Sequence, residues 1–117
     1  MISTWGIIGV GQLGASVAKG IHRSQAPLKP CLSPRSELRV QELAATVPVT
    51  VAENNQAVVD SADHVLLAAR PKQIVEIAPD LRFRPGQVVV SLAAALPHGR
   101  IQQAVRPATA VRAMPVL

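Results

Sequence analysis

The chain carries one cysteine, one tryptophan, one phenylalanine and no tyrosine in 117 residues, and each scarcity removes a class of function. A lone Cys31 cannot build a disulfide framework within the chain and suits a reducing compartment, where it packs as a small apolar residue. Without tyrosine, chemistry built on a tyrosine–lysine dyad is impossible. Aromatic residues make up 2% of the chain, so the bases of a nucleic acid find no stacking platform. The net charge of +5 comes from scattered basic residues of the kind that form ordinary solvated surface, and no nucleic-acid partner is expected. No apolar run reaches the roughly 18 to 20 residues needed to span a bilayer, and the first residues lack the basic-then-apolar form of a secretory signal. The expectation is a cytoplasmic protein with no membrane partner.

Reactive groups are equally sparse. His22, His64 and His98 stand far apart with no second ligand at metal spacing, which predicts two surface residues, one residue at a strand start and no metal site. Ser16 lies in a stretch that lacks the second glycine of a nucleophile elbow and reads as helix. Asp60 and Asp63 flank a turn and are explained by turn chemistry. No catalytic residue is assigned from this inventory. What the chain has in quantity is apolar residues, 49% against 16% charged, a balance that suits a buried parallel sheet and not disorder. Its length fits one domain and is short for an enzyme that also carries its own substrate pocket.

The most informative stretch is Ile7-Ile8-Gly9-Val10-Gly11-Gln12-Leu13-Gly14, an apolar run that breaks into glycines spaced G-x-G-x-x-G and then adopts helical periodicity. Gly9 lets the chain turn tightly off a strand, Gly11 leaves bare backbone for a pyrophosphate, and Gly14 lets the following helix lie close on the strand. Leu13, Val17 and Ile21 recur at helical spacing beside Gly14 and Ala18. The helix start offers unpaired N–H groups and the positive end of the dipole to an anion. Glycine-rich turns also occur for conformational reasons alone, but the strand-to-helix context favours a nucleotide. No lysine of a triphosphate-binding loop follows the glycines.

Along the rest of the chain, strands and helices alternate. Strands are expected at residues 4–8, 29–32, 64–68, 87–92 and 110–113, with a proline-interrupted edge strand at 47–51. Helices are expected at 12–23, at 34–46 with Ser33 as N-cap, Pro34 at the first helical position and Leu38, Leu43 and Ala44 as its apolar side, at 54–61, at 72–78 and at 97–105. The pattern predicts an α/β fold of Rossmann type, a mostly parallel sheet with helices on both faces in three layers, joined by right-handed crossovers.

The end of the second strand bears on the cofactor. An acidic residue about 20 positions past the glycines would bond the ribose hydroxyls of NAD, but this chain has none between Gly14 and Glu37. It offers Ser33-Pro34-Arg35 instead, a hydroxyl and a guanidinium suited to a 2′-phosphate. The cofactor expected is NADP, with NADPH preferred over NADH; capping by Ser33 and solvation of Arg35 are compatible alternatives.

Together these residues resemble the pyrroline-5-carboxylate reductase family. Ile7 to Gly14 is similar to that family's opening turn and Ser33-Pro34-Arg35 to its 2′-phosphate loop. Asn55, with Ala57-Val58 and Ala62-Asp63 after it, resembles the segment whose asparagine reaches the adenosine side of the cofactor. Leu67-Ala68-Ala69-Arg70-Pro71 resembles a Leu-Ala-Val-Lys-Pro segment beside the nicotinamide half. Ser91-Leu92-Ala93-Ala94 is similar to a Ser-Ile-Ala-Ala segment, and Val111-Arg112-Ala113-Met114-Pro115 to Val-Arg-Val-Met-Pro. Three positions depart: Arg70 stands where lysine is usual, Ala95 where glycine is usual, and Val116 where asparagine follows Met-Pro.

The resemblance implies hydride transfer from a reduced nicotinamide to a cyclic imine, 1-pyrroline-5-carboxylate, giving L-proline. The cofactor-binding set it implies is Gly9, Gly11, Gln12, Leu13 and Gly14 on the pyrophosphate, Ser33 and Arg35 on the 2′-phosphate and Asn55 on the adenosine ribose. Ala68, Arg70 and Ala93 would lie along the strand ends, where a small buried residue or a surface charge is an equal alternative. Family members continue past Met-Pro into a helical domain that forms a homodimer and binds the imino acid. Residues 1–117 therefore correspond to the NADP-binding domain, expected to be inactive alone. Two alternatives stay open: a related NADP-dependent imine or hydroxyacid reductase with another substrate, and a non-catalytic NADP-binding regulator.

Overall fold

The computed structural model describes residues 3–9, 12–24, 28–33, 37–45, 49–93 and 95–113. Six strands, β1 (Ser3–Ile8), β2 (Leu28–Leu32), β3 (Thr50–Val51), β4 (His64–Leu67), β5 (Val88–Ser91) and β6 (Thr109–Arg112), form one sheet in the order β3-β2-β1-β4-β5-β6. Every neighbouring pair is parallel. Between them run α1 (Gln12–Arg23), α2 (Glu37–Ala44), α3 (Asn55–Ser61), α4 (Pro71–Ile77), followed by a 3-10 turn at Ala78–Asp80, and α5 (His98–Val105). The expected strand and helix alternation is present throughout. Of the expected edge strand only Thr50–Val51 is formed in the described residues, with 46–48 outside them.

A central strand of a parallel sheet must be apolar on both faces, and the side chains here divide between two cores by alternation. Ile7 and Leu66 pack with Ala18 of α1 and Leu43 of α2, with Trp5 and Val90 against them. Ile8, Val65, Leu67 and Val89 face the other way and pack with Val58 and Val59 of α3, Ile74 of α4, and Ile101 and Val105 of α5. Two helices therefore cover one face and three the other, the predicted three layers. Cys31 is buried in the second core and accepts a weak bond from the Ser61 hydroxyl at 3.4 Å. Of the three residues expected on the apolar side of α2, Leu43 is buried and Ala44, the next residue round the helix, is exposed, while the side chain of Leu38 lies outside the description.

Gly6 explains how close α3 comes to the sheet. A Cβ at this position would lie 2.5 Å from Val58 Cγ1 and 3.2 Å from Ala62 Cβ. A glycine inside a strand marks such an approach. Pro30 is tolerated in β2 because, among the described residues, the pairing of β2 with β3 involves Cys31 and Leu32 and not the proline.

Side-chain amides secure the connections. Gln87, 2% exposed, donates through Nε2 to the carbonyls of Val59 (2.8 Å) and Ala62 (2.9 Å) and accepts from the Arg84 N–H through Oε1 (2.6 Å). Arg84 itself donates to the carbonyls of Val59, Asp60 and Ala62. These two residues supply donors to the carbonyls at the end of α3, where Val59 has only a long 3.4 Å bond from the Ala62 N–H. They are brought together by a turn in which Gln87 N–H donates to the Arg84 carbonyl at 3.2 Å, with Pro85 and a positive-φ Gly86 (+90°) between them, the signature of a type II turn.

At β6, an edge strand of the sheet among the described residues, a side-chain amide acts in the same way. Gln102 on α5 donates from Nε2 to the Ala108 carbonyl (2.7 Å) and accepts from the Ala110 N–H at Oε1 (2.9 Å), while His98 Nε2 lies 2.9 Å from the Ala110 carbonyl. The carboxamide makes the two bonds that one residue of a further parallel strand would make opposite Thr109, and so blocks pairing by another chain. Among the described residues no helix is long and apolar enough to cross a membrane.

Two outcomes follow from these amides. Gln87→Ala removes one of the donors to the Val59 and Ala62 carbonyls and the acceptor of the Arg84 N–H, and should lower unfolding stability by about 1–3 kcal/mol, read from urea denaturation, whereas Gln103→Ala at an exposed site on α5 should change it by less than about 0.5 kcal/mol. Gln102→Leu keeps the bulk but frees the edge of β6, and sedimentation should show self-association at concentrations where the unmodified chain shows none.

Candidate functional site

In a parallel sheet the carboxyl ends of the strands form one rim, and a crevice opens where the strand order reverses. Here β2 and β3 lie to one side of β1, and β4 to β6 lie to the other, which puts the crevice between the exits of β1 and β4. The rim is knitted by backbone bonds that continue past the strands: Ser33 N–H to the Ile7 carbonyl (3.0 Å), Ala68 N–H to Ile8 (2.8 Å), Leu92 N–H to Leu67 (3.1 Å) and Ala52 N–H to Leu32 (2.9 Å). Each loop leaves the sheet from a position set by its neighbour.

Gly9 stands at the middle of the rim. Its φ is +90°, and a Cβ built there would lie 2.7 Å from the Ala69 backbone nitrogen and 2.9 Å from its Cα and Cβ. Conformation and space thus both demand glycine. On the other side, the Gly9 N–H donates to Ser33 Oγ at 3.1 Å, and Ser33 is fully buried. The exits of β1, β2 and β4 meet at this one residue. Three positions later α1 begins, with no acidic side chain in its first turn, so the positive helix end at the crevice is not neutralised from within.

The other sequence-predicted residues that are described are distributed around the same rim. Asn55 is the first residue of α3 and half-buried; Asn54 before it caps the helix, its Oδ1 accepting from Ala57 N–H at 2.8 Å. Among the described residues the Asn55 side chain has no hydrogen-bond partner. Ala68 follows β4 and is half-buried, Ala93 follows β5 and is buried, and Arg70 is exposed at the start of α4, where its N–H donates to Gln73 Oε1 at 3.2 Å. Gln12, Leu13 and Gly14 open α1, their side-chain positions lying outside the description, and Gly11 and Arg35 lie outside the described residues altogether. The expected N-cap role of Ser33 falls partly there too, since residues 34–36 are not described; its described hydroxyl bond runs to Gly9.

Sequence reasoning missed two contributors. Ala69 supplies the wall against Gly9, and Ser91, 1% exposed, accepts from the Ala93 N–H at 3.3 Å and shapes the exit of β5. A serine two residues before the small residue it holds is the one local signal available. The histidines do not join the rim: His22 and His98 are exposed, and His64 opens β4, stacked on Trp5 with centroids 4.8 Å apart. An open apolar groove of about 200 Å³ between α4 and α5, lined by Ile74, Val75, Leu96 and Ile101 among others, shares no residue with the loops after β1, β2 and β4.

A parallel sheet that reverses order beside β1, with a bare glycine turn leading into α1, defines a Rossmann-type dinucleotide-binding domain. The chain belongs to the family described as NADP oxidoreductase coenzyme F420-dependent, whose match covers residues 4–95, a family of nicotinamide-dinucleotide oxidoreductases. Its relatives bear out the resemblance read from the motifs. It is 31% identical over 121 residues to a pyrroline-5-carboxylate reductase of Corynebacterium melassecola, covering 97% of this chain and 45% of that protein. The 1-pyrroline-5-carboxylate reductase structure from Streptococcus pyogenes superposes with a TM-score of 0.81 at 29% identity, covering 96% of this chain and 42% of that one. For the enzyme of Coxiella burnetii the values are 0.87, 25%, 100% and 45%. The chain thus spans less than half the length of these relatives.

Replacing Gly9 separates conformational strain from collision. Gly86 has the same φ of +90° with nothing within 4 Å of a built Cβ, so Gly86→Ala should lower stability by about 1 kcal/mol, while Gly9→Ala should lose about 1–2 kcal/mol more from displacement of Ala69, measured by urea denaturation of both variants.

Proposed function

We propose that the chain is the NADP(H)-binding half of an imine reductase of the pyrroline-5-carboxylate reductase type. The observation that carries the reading is the pairing of a bare glycine turn with the exit of β2. Gly9 meets Ser33 at 3.1 Å, and no acidic residue stands between Gly14 and Glu37 to take a pair of ribose hydroxyls. The family description, which names NADP, supports the same choice. A reduced nicotinamide, when bound, supplies a hydride to the carbon of a C=N bond, here that of 1-pyrroline-5-carboxylate, giving L-proline.

In this reading the backbone amides of Gly11, Gln12, Leu13 and Gly14 hold the pyrophosphate at the start of α1, favoured by the helix dipole. Gly9 keeps the approach free of a side chain. Arg35, with Ser33 beside it, faces the 2′-phosphate, and Asn55 bonds the adenosine ribose with a side chain not engaged in capping. Ala68, Arg70 and Ala93 flank the nicotinamide half, where small residues let the ring lie close to the strand ends. In this reading residues 1–117 bind the cofactor, and the groups that hold the imino acid and form a homodimer are not assigned among them.

Titration calorimetry with NADPH and NADH tests this. NADPH should bind at least about tenfold more tightly, and Arg35→Asp should weaken NADPH by about 10- to 100-fold with a change of less than about threefold for NADH, the range of a charge-assisted bond replaced by repulsion. Equal affinity for both nucleotides, or no response of NADPH to Arg35→Asp, overturns the NADP assignment.

A further inference from the structure

Ser33 and Gly9 are 24 residues apart in sequence, yet the serine hydroxyl is the described partner of the glycine amide, at 3.1 Å. The register of β1 against β2 ends at Ile7 and Leu32, one residue short of Ser33 and two short of Gly9. At Gly9 the chain departs from the strand with φ of +90°, and its amide, still on the β2 side, donates to the Ser33 hydroxyl where a continued ladder would offer a carbonyl. A donor in that position must find an acceptor or remain unmet at a closed edge. Ser33 is 0% exposed, and its own N–H is held by the Ile7 carbonyl at 3.0 Å, so its hydroxyl oxygen is supplied from a fixed point. The opposite side of Gly9 is closed by the Ala69 backbone. The peptide plane at Gly9 is therefore clamped between one hydrogen bond and one steric wall.

We propose that Ser33 is a positioning residue that acts through Gly9. Its hydroxyl sets the orientation of the Gly9 peptide and, with it, the direction in which the turn delivers residues 11–14 to a pyrophosphate. This deepens the dinucleotide reading above and rests on it. The consequence is a division of labour at the end of β2. Ser33 strengthens binding of both the phosphorylated and the unphosphorylated coenzyme, because both carry the pyrophosphate, and discrimination by the 2′-phosphate falls to Arg35. A buried hydroxyl already committed to the turn is a fixed part of the cradle; a guanidinium two residues on is the group with the reach and charge for a terminal phosphate.

The test uses the chain with Ser33→Ala, Ser33→Thr and Arg35→Ala, NADPH and NADH titrations, and amide hydrogen exchange without nucleotide. Ser33→Ala should weaken NADPH and NADH by the same factor, about five- to tenfold, in keeping with one neutral hydrogen bond. It should also speed exchange at Gly9 about tenfold relative to the core amide of Leu66. Ser33→Thr, which keeps an acceptor oxygen, should bring both affinities to within about threefold of the original and restore Gly9 protection. Arg35→Ala should weaken NADPH alone. Loss of NADPH binding only in Ser33→Ala, unchanged Gly9 exchange, or a Ser33→Thr variant as weak as Ser33→Ala each overturns the positioning role while leaving the nucleotide reading intact. Failure of the unmodified chain to bind either nucleotide overturns the reading itself and this role with it.

Discussion

No side chain can occupy position 9. The backbone there turns into a conformation that L residues avoid, and the space a Cβ would fill is taken by Ala69. Three loops that follow three different strands depend on this residue for their spacing: β1 ends in it, Ser33 after β2 holds its amide, and Ala69 after β4 packs on its face. A ligand cradle made of backbone requires this kind of constraint, because main-chain donors can be aimed only by fixing the chain that carries them. Sterics supply most of the rigidity and one hydrogen bond the direction.

The rest of the fold keeps that rim in place. Alternate residues of β1, β4 and β5 feed opposite cores, so neither layer of helices can move without opening apolar surface on the strands that carry the loops. Gly6 brings α3 against β1, and Arg84 with Gln87 covers the carbonyls at the far end of the same helix. At the sheet edge Gln102 stands in for a missing strand. In each case a polar side chain supplies bonds that regular structure leaves open, and the core stays apolar.

Family membership and the strand order agree that this is a dinucleotide-binding domain; the place of the dinucleotide and the reaction belong to the proposed reading. The chain covers 41–45% of the length of the curated pyrroline-5-carboxylate reductases it matches. Of the three departures from the family pattern, Arg70 flanks the nicotinamide half in the proposed reading, and the resemblance implies that Ala95 and Val116 belong to the wall facing the nicotinamide and the substrate. They bear on what is reduced more than on what coenzyme is held.

The order of strands and helices was legible in residues alone, because buried parallel strands leave short apolar runs such as Val65-Leu66-Leu67 and because proline and glycine punctuate them. The G-x-G-x-x-G spacing and the lack of an acid before Glu37 were legible for the same reason: both are local. What the sequence did not disclose are the pairings across distance. Nothing in the local pattern tells Gly6 that Val58 will press on it, Gly9 that Ser33 and Ala69 will hold it, or Gln102 that Ala108 and Ala110 will need partners. Composition and periodicity determined that this chain would be a layered parallel sheet with a glycine turn at its first crossing. The tertiary structure alone decided which side chains complete that turn, since a hydrogen bond spanning 24 residues exists only once two strands have been laid in register.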